Sequence, residues 1–111
     1  MERVIRPWGY YEVHDNLPGI RTKVFHVRPG EQLSVQRHNF RDEVWVVSEG
    51  TGEVTINGET QKITELDSVT ISKGDWHTIK AVTALTIHET WIGHTLSEED
   101  IERKSDKYGR Y

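Results

Sequence analysis

The stretch "LSVQRHNFRDEVWVVSEG", residues 33–50, decides the fold, because it combines strand-like composition with polar side chains where a small barrel would bury apolar ones. Both of its halves are rich in β-branched and aromatic residues and are predicted to form neighbouring strands. Residues two apart in a strand share a face, so Gln36 and His38 point the same way, and the next strand can bring Glu43 beside them. This polarity predicts a functional group inside the barrel.

Similar runs recur along the chain, separated by turn signals such as Asn57-Gly58, the strongest hairpin signal in the sequence. The predicted strands are 20–27, 32–38, 43–49, 52–56, 60–64, 68–72, 77–82 and 84–92. Short, evenly spaced strands favour an antiparallel sandwich or barrel, of which the jelly roll is one form. Behind them, Ser97 and the acids that follow it predict one short helix over 98–103 and then a polar tail.

Composition excludes several functional classes. A chain of 111 residues fits one domain, 1–111, around one hydrophobic core. Its formal net charge of -4 argues against a protein that wraps nucleic acid or coats an anionic membrane. The absence of cysteine excludes thiolate metal ligands and thiol nucleophiles. Since the sequence has no signal-like or membrane-spanning apolar run, we expect a cytoplasmic protein.

His77 begins a later strand that an antiparallel barrel can place beside the first pair. Two imidazoles, one carboxylate and one amide oxygen are then available at Gln36, His38, Glu43 and His77. This set suits one divalent transition metal, Zn, Mn, Co, Ni or Fe, with one or two positions left open for catalysis or ligand binding. The alternative is ordinary polar residues, because a lone histidine in a strand more often lies at the surface or in a hydrogen bond.

The four tryptophans are predicted to have different roles. Trp8, Trp45 and Trp91 are expected in the core or in an interface. Trp76, next to His77, is expected as a pocket wall.

Two motifs resemble those of the cupin superfamily. The first consists of Gly30, Gln36, His38, Glu43 and Gly50. The second is "LDSVTISKGDWHTIKA", residues 66–81, which contains Gly74 and His77. Gln36 stands where the superfamily usually has its first histidine, and Leu66, Ser72 and Ala81 are the departures in the second motif.

The resemblance becomes narrower at both ends of the chain. The segments "RPWGYYEV" at 6–13 and "HETWIGHTLSEEDIERKSDKYGR" at 88–110, with 29–55 between them, look like the cupin half of the type II mannose-6-phosphate isomerases. The ending "DKYGR" is specific, because nothing in the physics of a barrel requires it. In that family the half is often fused behind a mannose-1-phosphate guanylyltransferase, whereas here we expect the cupin domain alone.

The resemblance implies a metal-dependent isomerase that interconverts mannose 6-phosphate and fructose 6-phosphate. Glu43 and Glu89 are both candidates for the catalytic base, and the sequence does not decide between them. The nominees for binding the substrate are Arg41, Lys23, Arg21 and Tyr108, and the resemblance adds Arg110 at the active site. A homodimer is expected, because small cupin barrels usually cover an exposed sheet by pairing.

Other functions stay open, because the surroundings of the metal ligands depart from the family pattern. Phe40, Val44 and Thr78 stand where the family often has histidine or arginine. This difference allows a non-catalytic cupin that binds a sugar phosphate or a sugar nucleotide. Another cupin sugar-phosphate isomerase or epimerase is a further alternative, and two histidines with one carboxylate also suit an iron-dependent oxygenase.

Overall fold

In the computed structural model, which describes residues 2–109, the chain forms eleven β-strands in two sheets. The strands are β1 (Glu2–Arg6), β2 (Gly9–Leu17), β3 (Ile20–Val27), β4 (Val35–Arg37), β5 (Asp42–Glu49), β6 (Gly52–Ile56), β7 (Glu59–Ile63), β8 (Ser68–Ile71), β9 (His77–Ala81), β10 (Leu85–Ile92) and β11 (Glu102–Ser105). Their order is β1-β2-β3-β10-β5-β8 in one sheet and β11-β4-β9-β6-β7 in the other. All neighbouring strands are antiparallel, which confirms the predicted all-β class.

The core lies between the two sheets and is built from alternate residues of their strands. In β10 the buried residues Leu85 and Ile87 alternate with more exposed ones. Burying an aliphatic side chain of this kind contributes about 1.5–3 kcal/mol. Aromatic contacts extend the core towards the N-terminal strands, where the ring centroids of Trp8 and Phe25 lie 5.5 Å apart.

Two tight turns depend on residues with positive φ. Asn57 and Gly58 join β6 to β7 with φ angles of 49° and 85°, which suit a two-residue hairpin loop, so the predicted hairpin is confirmed. Gly50 has a φ of 87°, and a Cβ at this position would lie 1.9 Å from the carbonyl oxygen of Ala84. Only glycine fits between β5 and β6 at this point.

The structure adds three strands that the alternation pattern does not predict, namely β1, β2 and β11. β1 and β11 are the outer strands of their sheets, and β2 lies next to β1. All four residues of β11 are exposed, and only Gly9 and Tyr11 of β2 are buried. Strands that bury so little have a weak apolar alternation, which explains why sequence reasoning misses them.

The predicted helix over 98–103 is wrong. The Ser97 hydroxyl does accept a bond from a following backbone amide, at 3.1 Å, so one turn begins there. The Asp100 carboxylate, however, accepts bonds from two backbone amides of the loop after β4, both at 2.9 Å, and β11 then pairs with β4. These tertiary contacts end the turn before a second one forms. Within residues 2–109 there is accordingly no helix long and apolar enough to cross a membrane.

Replacing Ile87 with alanine should lower the free energy of unfolding by about 2–5 kcal/mol, because the side chain is removed from a closely packed core. Ile87 is 2% exposed, whereas Ile5 is 70% exposed and provides the matched control. The Ile5→Ala variant should change stability by no more than about 0.5 kcal/mol. Urea unfolding followed by tryptophan fluorescence measures both. Equal losses in the two variants would contradict this assignment of the core.

Candidate metal centre

A cavity of about 170 Å³ opens between the two sheets. Aromatic rings form much of its wall, and polar side chains from both sheets point into it. Its lining residues are Arg6, Trp8, Tyr11, Lys23, Phe25, Leu33, Ser34, Gln36, His38, Arg41, Glu43, Trp45, His77, Thr78, Ile79, Glu89, Trp91, Glu98, Ile101 and Arg103. The polar residues Gln36, His38 and Glu43 of the stretch 33–50 therefore face a shared space inside the barrel.

Three side chains that could bind a metal meet in this cavity, namely His38, Glu43 and His77, each 3% exposed or less. Their candidate ligand atoms all lie within 4.8 Å of one another. The Nε2 atoms of His38 and His77 lie 3.2 and 3.9 Å from the two carboxylate oxygens of Glu43. Ligands held at ~2.1 Å from one ion lie about 3.0–3.4 Å apart, so these atoms are already close to metal-binding spacing.

Strand pairing explains how residues distant in sequence arrive at this point. His38 follows β4, Glu43 is the second residue of β5, and His77 is the first residue of β9. The register of β4 and β9 sets Gln36 opposite His77. The Gln36 amide nitrogen donates to the Ser34 hydroxyl at 3.1 Å, which leaves its amide oxygen as an acceptor in the cavity lining.

Both imidazoles are held by the backbone. The Nδ1 atom of His38 lies 2.7 Å from the carbonyl oxygen of Asp100, and that of His77 lies 2.9 Å from the carbonyl oxygen of Asp75. A neutral ring that donates from Nδ1 presents the lone pair of Nε2, which is the usual arrangement of metal-binding histidines. Burial lowers the pKa of His38 to about 4 and also lowers that of His77. Both rings are therefore neutral at pH 7.

Glu43 stays ionised although it is buried. Burial alone would raise the pKa of its carboxyl, but the neighbouring His38, Arg41 and His77 lower it below the ordinary value. One carboxylate oxygen accepts a bond from Arg41 Nε at 2.7 Å, and the other accepts one from Trp45 Nε1 at 3.0 Å. A buried carboxylate held in this way is fixed in position as well as charged.

The donor set fits a divalent transition metal. It combines two neutral imidazole nitrogens with one anionic oxygen, and all three are oriented by hydrogen bonds to other groups. Zn, Mn, Co, Ni and Fe all accept such ligands, and the cavity leaves space for further oxygen ligands. His38, Glu43 and His77 could therefore hold a metal ion.

Glu89 is a second buried carboxyl group in the same cavity, contributed by β10. Burial, followed by repulsion from the Glu43 carboxylate, raises its pKa to about 8. One of its oxygens accepts a short hydrogen bond from Trp91 Nε1. Glu89 therefore mostly carries a proton at pH 7 and can still lose it near neutral pH.

Arg41, nominated from sequence to bind the substrate, is engaged with the ligand set itself. Its guanidinium lies 3.2 Å from the ring centroid of Trp91 and, besides Glu43, contacts His38 Nε2 at 3.2 Å and the Ser97 carbonyl oxygen at 3.1 Å. This group compensates the charge of Glu43 and shares the space into which His38 Nε2 points.

The other nominated residues are spread over different places. Lys23 lines the cavity, whereas Arg21 and Tyr108 are absent from the lining formed by residues 2–109. Arg21 pairs with Glu98 at 2.8 Å, and the Tyr108 hydroxyl donates to Glu31. Arg110 lies outside the described residues.

Two acidic residues of the site were missed from sequence because they were assigned to the helix. Asp100 orients His38 through its carbonyl oxygen, and Glu98 lines the cavity. A signal was available, since residues 98–103 contain Ile101 as their one apolar side chain. A helix packed on a barrel needs an apolar face wider than one residue.

The residues that depart from the family pattern mostly lie away from the cluster. Phe40 is 61% exposed, and neither it nor Val44 lines the cavity. Thr78 does line it, with its hydroxyl donating to the Leu33 carbonyl oxygen at 2.7 Å. Trp76 lines a depression separate from this cavity, whereas the other three tryptophans line the cavity itself.

The double-sheet barrel with inward-facing histidines and a carboxylate defines a cupin. The cupin domain of Cnp3 from Schizosaccharomyces pombe superposes with a TM-score of 0.72 at 17% identity, over 76% of this chain and 64% of that one. KdgF from Halomonas sp. superposes with a TM-score of 0.79 at 14% identity, over 86% and 90% of the two chains. At these identities the similarity establishes the fold alone.

Within the cupins, the chain belongs to the family described as Mannose-6-phosphate isomerase C-terminal, whose family model matches residues 1–106. It is 42% identical over 109 residues to a mannose-1-phosphate guanylyltransferase, ManC, of Salmonella typhimurium. That match covers 96% of this chain and 23% of the relative. The chain thus spans about a quarter of the length of this relative.

Proposed function

We propose that this cupin domain is a metal-dependent sugar-phosphate isomerase that interconverts mannose 6-phosphate and fructose 6-phosphate. The observation that carries the proposal is the presence in one cavity of the His38, Glu43 and His77 donor set and the proton-holding carboxyl of Glu89. Membership of the mannose-6-phosphate isomerase C-terminal family supports the choice of substrate.

Four side chains are proposed to hold one divalent ion, with the amide of Gln36 joining the two histidines and Glu43. When bound, such an ion supplies a Lewis acid that stabilises negative charge on the substrate oxygens at C1 and C2. Because the Gln36 amide is neutral, the ion and its ligands together carry more positive charge than they would with a second carboxylate in place of Gln36. This additional positive charge favours negative charge on the reacting substrate.

Glu89 is the better of the two candidates for the base. The reaction moves one hydrogen between C1 and C2 and another between the oxygens on these carbons, so one group must accept the carbon-bound proton and return it to the other carbon. Glu43 is ionised and tied to Arg41 and Trp45, and it is also a proposed metal ligand. Glu89 has a pKa of about 8, which is close to neutral pH, and a group with such a pKa can both accept and donate a proton there.

The proposal is tested by an assay that couples conversion of mannose 6-phosphate to a spectroscopic readout of fructose 6-phosphate. We expect conversion after loading with at least one of Mn, Co, Zn, Ni or Fe(II), and its loss on chelation. Restoring the metal should restore the rate. Absence of conversion with every metal, in protein shown to be folded and loaded, would refute isomerase activity, and a panel of other sugar phosphates would then test related isomerases and epimerases.

A binding function without turnover is the second candidate. It is favoured by one observation, namely that a relative with 42% identity is named as a guanylyltransferase and contains this region as 23% of its length. Calorimetry that detects tight binding of a sugar phosphate or sugar nucleotide, without conversion, would support it.

Oxygen consumption by the Fe(II) form would instead favour an oxygenase.

The homodimer, the cytoplasmic location and the single domain 1–111 stay predictions. Support for pairing comes from the outer face of the six-stranded sheet, where Val46 and Ile92 expose 42% and 48% of their surface. Covering these side chains in a dimer would remove their apolar surface from water.

A further inference from the structure

Lys23 is a buried cation in the lining of the cavity. It is 2% exposed, and its ammonium lies 4.2 and 4.1 Å from the ring centroids of Tyr11 and Trp91. Burial lowers its pKa, and the Glu98 carboxylate partly offsets this lowering. A buried ammonium needs an anionic partner, because leaving it unpaired in this environment is costly.

The closest anion is the carboxylate of Glu98, at 2.6 Å from Lys23 Nζ. The same carboxylate accepts a bond from Arg21 at 2.8 Å and lies 3.5 Å from the Tyr11 hydroxyl. Glu98 comes from the loop 93–101 between β10 and β11, while its three partners come from β2 and β3 of the barrel. A loop carboxylate thus fills a recess that is built from two cations and a hydroxyl.

This recess belongs to the same cavity as the candidate metal centre, since Tyr11, Lys23 and Glu98 all line it. In the sheet, Lys23 is opposite Glu89, which in turn is opposite Trp45 of β5. Neighbouring strands lie about 4.8 Å apart, so Lys23 is roughly 10 Å from the strand that carries Glu43. The Lys23 ammonium and the Arg41 guanidinium both lie over the Trp91 ring, 4.1 and 3.2 Å from its centroid, and Arg41 is bonded to Glu43, so the recess adjoins the candidate metal centre.

We infer that Lys23, Arg21 and Tyr11 form a subsite for a phosphate monoester, and that Glu98 occupies this subsite until a phosphate replaces it. The identity of the ligand as a sugar phosphate rests on the proposed function. A phosphate dianion brings more charge and more acceptor oxygens to the two cations than one carboxylate does. The Glu98 side chain is 49% exposed and can turn into solvent when it is displaced.

The attachment of the loop 93–101 limits the displacement of Glu98 to a short part of that loop. Asp100 is fixed by backbone amides of Asn39 and Phe40 and by Nδ1 of His38. Glu98 is held by the recess itself. Displacement therefore affects Glu98 and the residues beside it, while the support of His38 stays in place.

The test measures the affinity of the full chain for inorganic phosphate by calorimetry, with and without the loaded metal. The Glu98→Gln variant should bind phosphate about 10-fold more tightly, because the competing carboxylate is gone. The Lys23→Met variant should bind it at least about 10-fold more weakly. Glu99→Gln, at the next position and with the same charge change, is the matched control and should bind phosphate as the unchanged protein does.

Two outcomes would overturn the subsite. An unchanged or weaker phosphate affinity in Glu98→Gln would mean that Glu98 only anchors the loop. An equal gain in Glu99→Gln would mean that the effect is one of net charge. The Glu98 and Glu99 comparison stands even if Lys23→Met does not fold, and it is independent of turnover. The predicted affinities in a protein without isomerase activity would therefore support the subsite and refute the proposed function. Isomerase activity without the predicted affinities would support the proposed function and refute the subsite.

Discussion

His38→Ala should purify with less than one tenth of the metal found in the unchanged protein and should show no measurable isomerase activity. The substitution removes one of two imidazole nitrogens from a cluster whose atoms lie within 4.8 Å of one another. Losing a residue that merely supports a metal ligand typically costs 10–100-fold in metal affinity or activity, so losing a ligand should cost at least roughly 100-fold. Elemental analysis and metal titration by calorimetry give the measurement.

His88→Ala is the matched control, because it removes an imidazole from the outside of the barrel. His88 is exposed, and its Nε2 lies 3.0 Å from the Ser48 hydroxyl. This variant should keep both its metal and its activity. Circular dichroism and thermal unfolding would establish that His38→Ala is folded. A folded His38→Ala protein with the original metal content would refute His38 as a ligand.

Much of the fold follows from local patterns in the sequence. Alternation identifies eight strands, and Asn57-Gly58 identifies a hairpin, because both depend on residues close together in the chain. The helix prediction failed for the opposite reason. Ser97 and the acids after it do form one turn, but Asp100 finds its partners 60 and 61 residues away, and no local pattern contains that information.

The sequence predicts which residues belong to the site better than it predicts how they are arranged. Spacing on strands places His38 and Glu43 on the inner face, but the pairing of Gln36 with His77 depends on the register of β4 and β9. The same limit applies to Arg41. A charged residue in a turn looks available to substrate, and only the fold reveals that its guanidinium is already bonded to Glu43.

Glu89 illustrates how burial decides a chemical role. Sequence reasoning leaves it equal to Glu43 as a candidate base, since both are glutamates on inward faces of strands. In the structure, positively charged and hydrogen-bonding groups keep Glu43 ionised, while burial and the Glu43 charge keep Glu89 protonated. Two carboxyl groups whose pKa values are pushed apart in one cavity are typical of a division of labour between ligand and proton carrier.

Glu89→Gln should lower the isomerase rate by about 10²–10⁴-fold, the range expected when a general acid-base group is removed. Glutamine keeps an oxygen to accept the Trp91 bond, so the variant should fold and keep its metal. Rate measurement and elemental analysis on the same sample separate the effects. Equal loss of metal and activity would instead indicate that Glu89 supports the metal centre.

The same variant should also change how the stability of the metal-free protein depends on pH. The pKa of Glu89 is about 8 in the folded state, against an ordinary value of 4.5, so the folded protein holds a proton that the unfolded chain releases. This contribution is complete below about pH 4.5 and is lost as the pH rises through about 8. At about 1.4 kcal/mol per pKa unit, its loss is on the order of several kcal/mol.

Urea unfolding of the chelated protein between pH 5 and 9 measures this effect. Stability should fall across that range in the unchanged protein and should be nearly flat in Glu89→Gln, apart from what other groups contribute. Glu59→Gln is the matched control, because Glu59 is an exposed residue of β7 and its loss should leave the slope as it was. If Glu89→Gln kept the full slope, Glu89 would be ionised in the folded protein, and its role as the proton carrier would fail.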